Sequence, residues 1–312
     1  AIPGLRDALP PHLQKEVSQL AMAPGETTVG TIRAALHGWR QDRDLCRLAV
    51  APTIPLHCSD AFMTDLAALA REYGVGLHSH VGESKVQAVS GLRRYGKTLL
   101  AHMDDLGIVG PDFTAAHAVW LDDDDMRRLG DKGGSIAHNP GSNMRLGNGL
   151  ADIRRMLTRH VNVGIGTDAS SCSDNLNMYE SLKLASMVSK VQGPDQRLWL
   201  TTTEVATAAT EGSARALGFE RCGKIAPGYK ADIVFLDTSA INWIPFNDPT
   251  NQLVHCEDGT SVVDVMVGGR HVVRDRKLVG CDLGKLARDV EAARQRLERA
   301  NAENKCLFDR LV

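Results

Sequence analysis

The stretch Tyr73-Gly74-Val75-Gly76-Leu77-His78-Ser79-His80-Val81-Gly82-Glu83 decides how this chain is read. A short apolar run ends in two histidines and a carboxylate, which is how a buried parallel strand delivers side chains to a rim. Side chains alternate along a strand, so His78 and His80 share a face. Imidazole is the commonest protein ligand for metal ions, and a carboxylate three residues on is placed to carry a proton. Two later runs close in the same way: Phe113-Thr114-Ala115-Ala116-His117 and Val163-Gly164-Ile165-Gly166-Thr167-Asp168. Alone, a strand-end histidine is most simply a hydrogen-bonded structural residue. An Asp after Gly-Thr is often a helix N-cap, here for a helix beginning near Asn175. Three such endings in succession instead follow the barrel rule that site residues sit at C-terminal strand ends.

The flanking sequence repeats the same unit. Strands are expected over 46–51, 76–80, 114–119, 135–138 and 162–167, with helices over 60–73, 85–106, 123–129 and 150–158 between them. Five alternating units imply a parallel α/β sheet and favour a (β/α)8 TIM-type barrel. Before them, Leu13, Val17, Leu20 and Ala21 have helical spacing, and 31–36 suggests a second helix. After Asp168 come helices 176–192 and 203–217. The former is amphipathic through Met178, Leu182, Leu184 and Ala185, a pattern best explained by ordinary core packing. Past Gly218 the character changes: strand 231–236, then 262–267 and 271–274 joined at Gly268-Gly269, a hairpin signal. A last helix over 283–301 aligns Leu286, Val290, Ala293 and Leu297. The expected domains are a hydrolase barrel over 1–218, incomplete at its N-terminus, a β-sandwich part over 219–280 and a C-terminal helix over 281–312.

Composition narrows the function. With 312 residues, a net charge of -2 and a pI near 6.6, nothing favours nucleic acid or an anionic membrane as partner. No apolar run approaches the roughly 20 residues that span a bilayer, and no secretion signal is expected. Seven cysteines (Cys46, Cys58, Cys172, Cys222, Cys256, Cys281 and Cys306) are odd in number and lack C-x-x-C spacing. That argues against disulfides or a thiolate zinc site and for a reducing, cytoplasmic setting. The H-x-E plus P-C-x-x-C signature of zinc nucleotide deaminases is absent, so any metal here takes imidazole and carboxylate ligands.

Taken together, His80-x-x-Glu83, Ala115-Ala116-His117, His138-Asn139-Pro140-Gly141-Ser142-Asn143-Met144-Arg145-Leu146-Gly147, Gly166-Thr167-Asp168 and Gly228-Tyr229-Lys230-Ala231-Asp232 resemble the amidohydrolase superfamily. The likeness is to its cytosine-deaminase-like branch, which includes adenosine-type and S-adenosylhomocysteine deaminases and triazine (chloro)hydrolases, and it covers roughly 46–274. The resemblance implies a (β/α) barrel with a small β-sandwich built from both chain ends. It makes His80 the metal ligand of the family's fifth strand and Glu83 the proton shuttle. His117 becomes the histidine that orients substrate or metal-bound water, itself close enough to ligate. Asp168 becomes both ligand and general base, and His78 supports the site from behind. The implied cofactor is one divalent metal, zinc first and iron second, because Leu48-Ala49-Val50-Ala51 offers no lysine for a carbamate bridge between two.

The implied reaction is metal-assisted hydrolysis at an sp² carbon of a small N-heterocycle, an aminohydrolase (deaminase), by a homo-oligomer. The alternatives are a chlorohydrolase or cyclic-amide hydrolase, or a catalytically dead relative without its first metal ligands. The family's strand-1 His-x-His has no counterpart before residue 78, where His12, His37 and His57 stand alone. Some forty residues cannot hold three βα units of about 30 each. The first half-sandwich and most of barrel units one to three are therefore expected to lie outside these residues. Trp120, where many relatives carry another histidine, points away from the homocysteine-nucleoside deaminases.

Overall fold

The computed structural model describes residues 9–11, 13–15 and 23–302. The helical spacing of Val17, Leu20 and Ala21, and Cys306, lie outside them. Five strands form one sheet in chain order, all parallel: β1 (Ala49–Val50), β2 (Gly76–Val81), β3 (Phe113–His117), β4 (Ser135–His138) and β5 (Asn162–Ile165). Helix α1 (Gly25–Gly38) precedes them and covers the expected helix at 31–36. Between strands run α2 (Asp60–Tyr73), α3 (Lys85–Tyr95), α4 (Leu99–Asp105), α5 (Asp123–Asp131), α6 (Pro140–Arg145) and α7 (Ile153–Thr158). This is a five-unit arc of the (β/α) barrel architecture, with β1 and β5 as its edges among the described residues.

Local chemistry sets the element boundaries. Ser59 caps α2 by accepting from the Phe62 amide, and Asp122 with Asp125 closes a capping box on α5. The helix expected over 85–106 is two helices: Gly96 turns left-handed at φ 69° and Thr98 caps the second by accepting from the Ala101 amide. Strand 46–51 shortens to β1, next to Pro52, which has no amide to donate. One face of the sheet is sealed by Leu77, Phe113, Ile136 and Val163, all buried under the intervening helices.

After Asp168 come α8 (Ser170–Ser173) and α9 (Met178–Val191), then α10 (Thr202–Thr207), a π-helical turn Ala208–Gly212 and α11 (Ser213–Ala216). The single helix expected over 203–217 thus carries a π turn, and that turn lies against the open edge of β5. The Ser213 hydroxyl accepts from the Ile165 amide (3.1 Å) and donates to its carbonyl (3.2 Å), and Asn162 Nδ2 donates to the Gly212 carbonyl (3.0 Å). Polar groups of an unpaired edge are thereby satisfied. A Cβ at Gly212 would come within 1.9 Å of the Val163 carbonyl oxygen, so the approach requires glycine.

The C-terminal part holds α12 (Pro249–His255) and an antiparallel sheet, β6 (Ile233–Leu236), β7 (Val262–Val267), β8 (Arg270–Arg274) and β9 (Lys277–Leu278). Gly268 and Gly269 both have positive φ at the β7–β8 turn, as a two-residue hairpin needs. Of the expected β-sandwich, the described residues form this one layer. In α13 (Leu283–Ala300) the aligned Leu286, Val290 and Leu297 are all exposed among the described residues. No helix among the described residues is long and apolar enough to cross a membrane.

Arg154 on α7 grips both Glu204 oxygens on α10 (2.8 and 2.6 Å), and Glu204 also closes a capping box with Thr201. The guanidinium pulls the Glu204 carboxyl from 4.5 down to about 2. A carboxyl whose folded pKa is depressed binds fewer protons folded than unfolded, so it stabilises fully above pH 4.5 and loses that contribution as pH falls toward 2. Glu204→Gln should therefore be less stable near neutrality and show a shallower loss of stability across that window. Urea unfolding followed from pH 5 to pH 2 checks this; parallel curves for the two proteins would contradict it.

Candidate active site

Three strand ends and one loop build a polar cluster at the C-terminal rim of the sheet. Along β2 burial alternates, with Leu77, Ser79 and Val81 buried and His78 and His80 on the other face. The His80 amide and its Nδ1 both reach the Thr53 carbonyl, at 3.1 and 2.6 Å. A carbonyl only accepts, so Nδ1 carries the proton and Nε2 keeps its lone pair.

Strict alternation would send His117 to the face of Phe113 and Ala115. Instead His117 and Ala118 adopt left-handed φ of 71° and 53°, and the His117 ring stacks on His80 with centroids 5.3 Å apart. Such backbone costs roughly 1–3 kcal/mol per residue and persists only where its surroundings impose it. Here the imposing contact is Asn143 Oδ1 on His117 Nδ1 at 2.9 Å, with the ring only 1 % exposed. His117 Nε2 then lies 3.8 Å from Asp168 Oδ2.

Asp168 also sits at positive φ, 62°, and its carboxylate accepts from the Ala169 amide at 2.6 Å. It caps no longer helix: Asn177 caps α9 by accepting from Tyr179 and Glu180. Partial burial opposes ionisation of Asp168. The nearby Ser142 hydroxyl (not itself in a well-formed hydrogen bond), the Ala169 amide and the imidazoles of His117 and His80 outweigh it and hold the carboxyl below its usual range. Gly166 lets β5 end here, because a Cβ would fall 2.4 Å from Asn139 Oδ1.

Glu83 follows β2 and is held at both oxygens. Asn148 Nδ2 donates to Oε1 at 3.1 Å and Gln87 Nε2 to Oε2 at 3.3 Å, while Gln87 Oε1 accepts the Glu83 amide at 3.2 Å. His80, His117 and Asp168 therefore meet directly, and Glu83 joins them through the 143–148 segment. His78 lies one pleat deeper on the His80 face, its pKa lowered by burial, and makes none of the hydrogen bonds that hold the cluster. Sequence reasoning missed Gln87, Asn143 and Asn148. Gln87 is four residues after Glu83, a pairing distance on a helix, and both asparagines lie in the segment already singled out. It also assigned nothing to His138, which is fully buried with neither ring nitrogen hydrogen-bonded and its pKa pushed down to about 3 by burial and by His117.

Two imidazoles with Nδ1 tied to oxygen and a carboxylate held ionised are the donor types a zinc-like ion takes. Among the described residues, however, no group of three or more His, Cys, Asp or Glu is placed to hold a metal ion. His80, His117 and Asp168 fit as part of a donor set, not as a complete one. A cavity of about 880 Å³ lies at the other end of the strands, against Gly76, Asp112, Arg215 and Arg221, away from this cluster.

Residues 9–272 match the model of the amidohydrolase family. The chain is 37% identical to a 5'-deoxyadenosine deaminase of Methanothermobacter thermautotrophicus over 78% of its length, and this spans 56% of that protein. It is 37% identical to a 5-methylthioadenosine/S-adenosylhomocysteine deaminase of Thermococcus onnurineus, over 76% of this chain and 55% of the relative. Among solved structures it resembles a zinc-bound adenosine deaminase of Xanthomonas campestris (TM-score 0.82, 29% identity, 88% of this chain, 61% of that one). A zinc complex of atrazine chlorohydrolase from Arthrobacter aurescens superposes as well (TM-score 0.82, 26% identity, 86% and 60%). The chain spans a little over half the length of the curated relatives it matches.

Removing the Asn143 amide leaves the buried Nδ1–H of His117 without an acceptor, which costs about 1–3 kcal/mol. Asn143→Ala should lose that much stability in urea titration; a loss below about 0.5 kcal/mol would mean that the bond contributes nothing.

Proposed function

Because the chain belongs to the amidohydrolase family, we propose that it is the site-bearing part of an aminohydrolase that removes the exocyclic amino group of a small N-heterocycle, an adenosine-type nucleoside before others. The observation that carries this reading is the approach of Asp168 to His117 at one rim, 3.8 Å apart, with Glu83 clamped on the same rim. Its similarity to deaminases at 37% identity supports an amino leaving group.

In this reading a divalent metal, zinc before iron, is held by His80 and Asp168 with His117 beside them, together with donors beyond this cluster. When bound, it supplies the Lewis acidity that brings a water's pKa to about 7. Asp168, ionised, takes one proton from the attacking water as the new C–O bond forms at the amino-bearing carbon. His117, with its proton fixed on Nδ1 by Asn143, turns Nε2 toward that water. Glu83, protonated, delivers its proton to the adjacent ring nitrogen. Asp168 passes the water's proton to the amino group, the C–N bond breaks as ammonia leaves, and the added hydroxyl returns its proton to Glu83 as it becomes the carbonyl. Water in and ammonia out balance the reaction.

The domain division carried into this proposal is a barrel over 1–218, a sheet part over 219–280 and a helix over 281–312. A homo-oligomeric, cytoplasmic enzyme without nucleic-acid or membrane partners completes it, supported by the cysteine spacing and the near-neutral charge. A chlorohydrolase is the second reading, favoured by the equal TM-score of the atrazine enzyme.

Zinc-loaded protein should release ammonia from adenosine-type nucleosides; chloride release from chloro-s-triazines alone would transfer the assignment to the second reading. Asp168→Asn should abolish turnover with the circular-dichroism spectrum unchanged, and retained activity would remove it from the base role. Glu83→Gln should lower kcat by at least about a hundredfold, the scale of general-acid catalysis; a smaller effect would relieve Glu83 of proton delivery.

A further inference from the structure

We propose that Asn148 is a positioning residue for Glu83, fixing its carboxylate relative to the rest of the rim; this rests on the proton-carrier role of Glu83 above. The two Glu83 oxygens have different partners. Oε2 is held by Gln87, a neighbour one helical turn along on α3, so that contact is local. Oε1 is held by Asn148, which comes from the far side of β3 and β4, 65 residues on. Of the two side-chain bonds, this second one ties the Glu83 carboxylate to the rest of the rim.

The Asn148 backbone is itself fixed by two hydrogen bonds. Its amide donates to the Asn143 carbonyl at 2.9 Å, closing the turn at the end of α6 around Gly147 at φ 66°. Its carbonyl accepts from the Trp120 indole Nε1 at 2.8 Å, and the Trp120 amide donates to the Gly82 carbonyl, also at 2.8 Å, next to Glu83. A Cβ at Gly149 would lie 3.1 Å from Val119, so the chain leaving Asn148 runs close along that segment. The turn therefore serves two groups at once. The Asn143 side chain holds His117 and the Asn148 side chain holds Glu83, five residues apart in one rigid turn. Glu83 and His117 are thereby kept in a constant mutual position, and near-attack geometry rewards such fixing: a displacement of about 1 Å can cost a hundredfold in rate.

A positioning role makes predictions that a merely structural one does not. In the zinc-loaded full chain acting on an adenosine-type nucleoside, Asn148→Ala should lower kcat about ten- to a hundredfold, with KM within about threefold and the thermal midpoint unchanged. Asn148→Asp, nearly isosteric, replaces the donor by a like charge and should move the alkaline limb of the kcat profile, where the proton carrier ionises, to higher pH. Trp120→Phe, which removes the indole N–H together with the pyrrole ring, should give a smaller fall in kcat in the same direction. An unchanged kcat in Asn148→Ala, or a fall explained by a lower thermal midpoint with the pH profile of Asn148→Asp unmoved, overturns the proposal. The clamp also has a readout free of turnover: the pH titration of the ¹³C-labelled Glu83 carboxyl resonance in wild type and Asn148→Asp. If no heterocycle is hydrolysed but this midpoint moves upward in Asn148→Asp, the functional reading fails and the clamp stands. If it does not move, the clamp fails whatever the activity.

Discussion

The shared register of four parallel strands is the constraint on which the rest of the molecule depends. Once Val81 pairs with His117 and His138 with Ile165, the ends of β2, β3, β4 and β5 lie at one level. His80, Glu83, His117, Asn143, Asn148 and Asp168 then all lie within about ten residues of those ends. A parallel sheet cannot do otherwise, because each strand must be re-entered from the same side through a helix. The buried outer face, with Leu77, Phe113, Ile136 and Val163, holds the register by making any one-residue slip expose apolar side chains.

Backbone strain and amide side chains then refine what the register delivers. His117, Ala118 and Asp168 all sit at positive φ, a conformation that β-carbons disfavour. The bonds from Asn143 to His117 and from the Ala169 amide to Asp168 offset that cost and give each group a defined orientation. Neutral amides suit this task. They hold a carboxylate or an imidazole without adding a charge that would itself need burying.

Much of this was legible beforehand. The alternation of apolar runs with helical spacing located four of the five strands to within two residues at either end, because a largely buried strand leaves little freedom in composition. His80 and Glu83 could be read from three residues of spacing, since a strand end and the following turn fix their relative placement. The helix break at Gly96 and the π turn before Ser213 were not legible. The first depends on one glycine entering the left-handed region, and the second on the polar edge of β5, which lies some fifty residues away in the chain.

Periodicity, strand direction and side-chain chemistry were enough for the fold class, for the rim at which His80, His117 and Asp168 gather and for the residue types found there. Which partners those residues have came from the packed fold alone. That Asn143 belongs to His117, Asn148 to Glu83 and Thr53 to His80 depends on loops meeting across 26, 65 and 27 residues of chain. Contacts at such separations are set by the packing of whole βα units against one another, and local spacing carries no record of them.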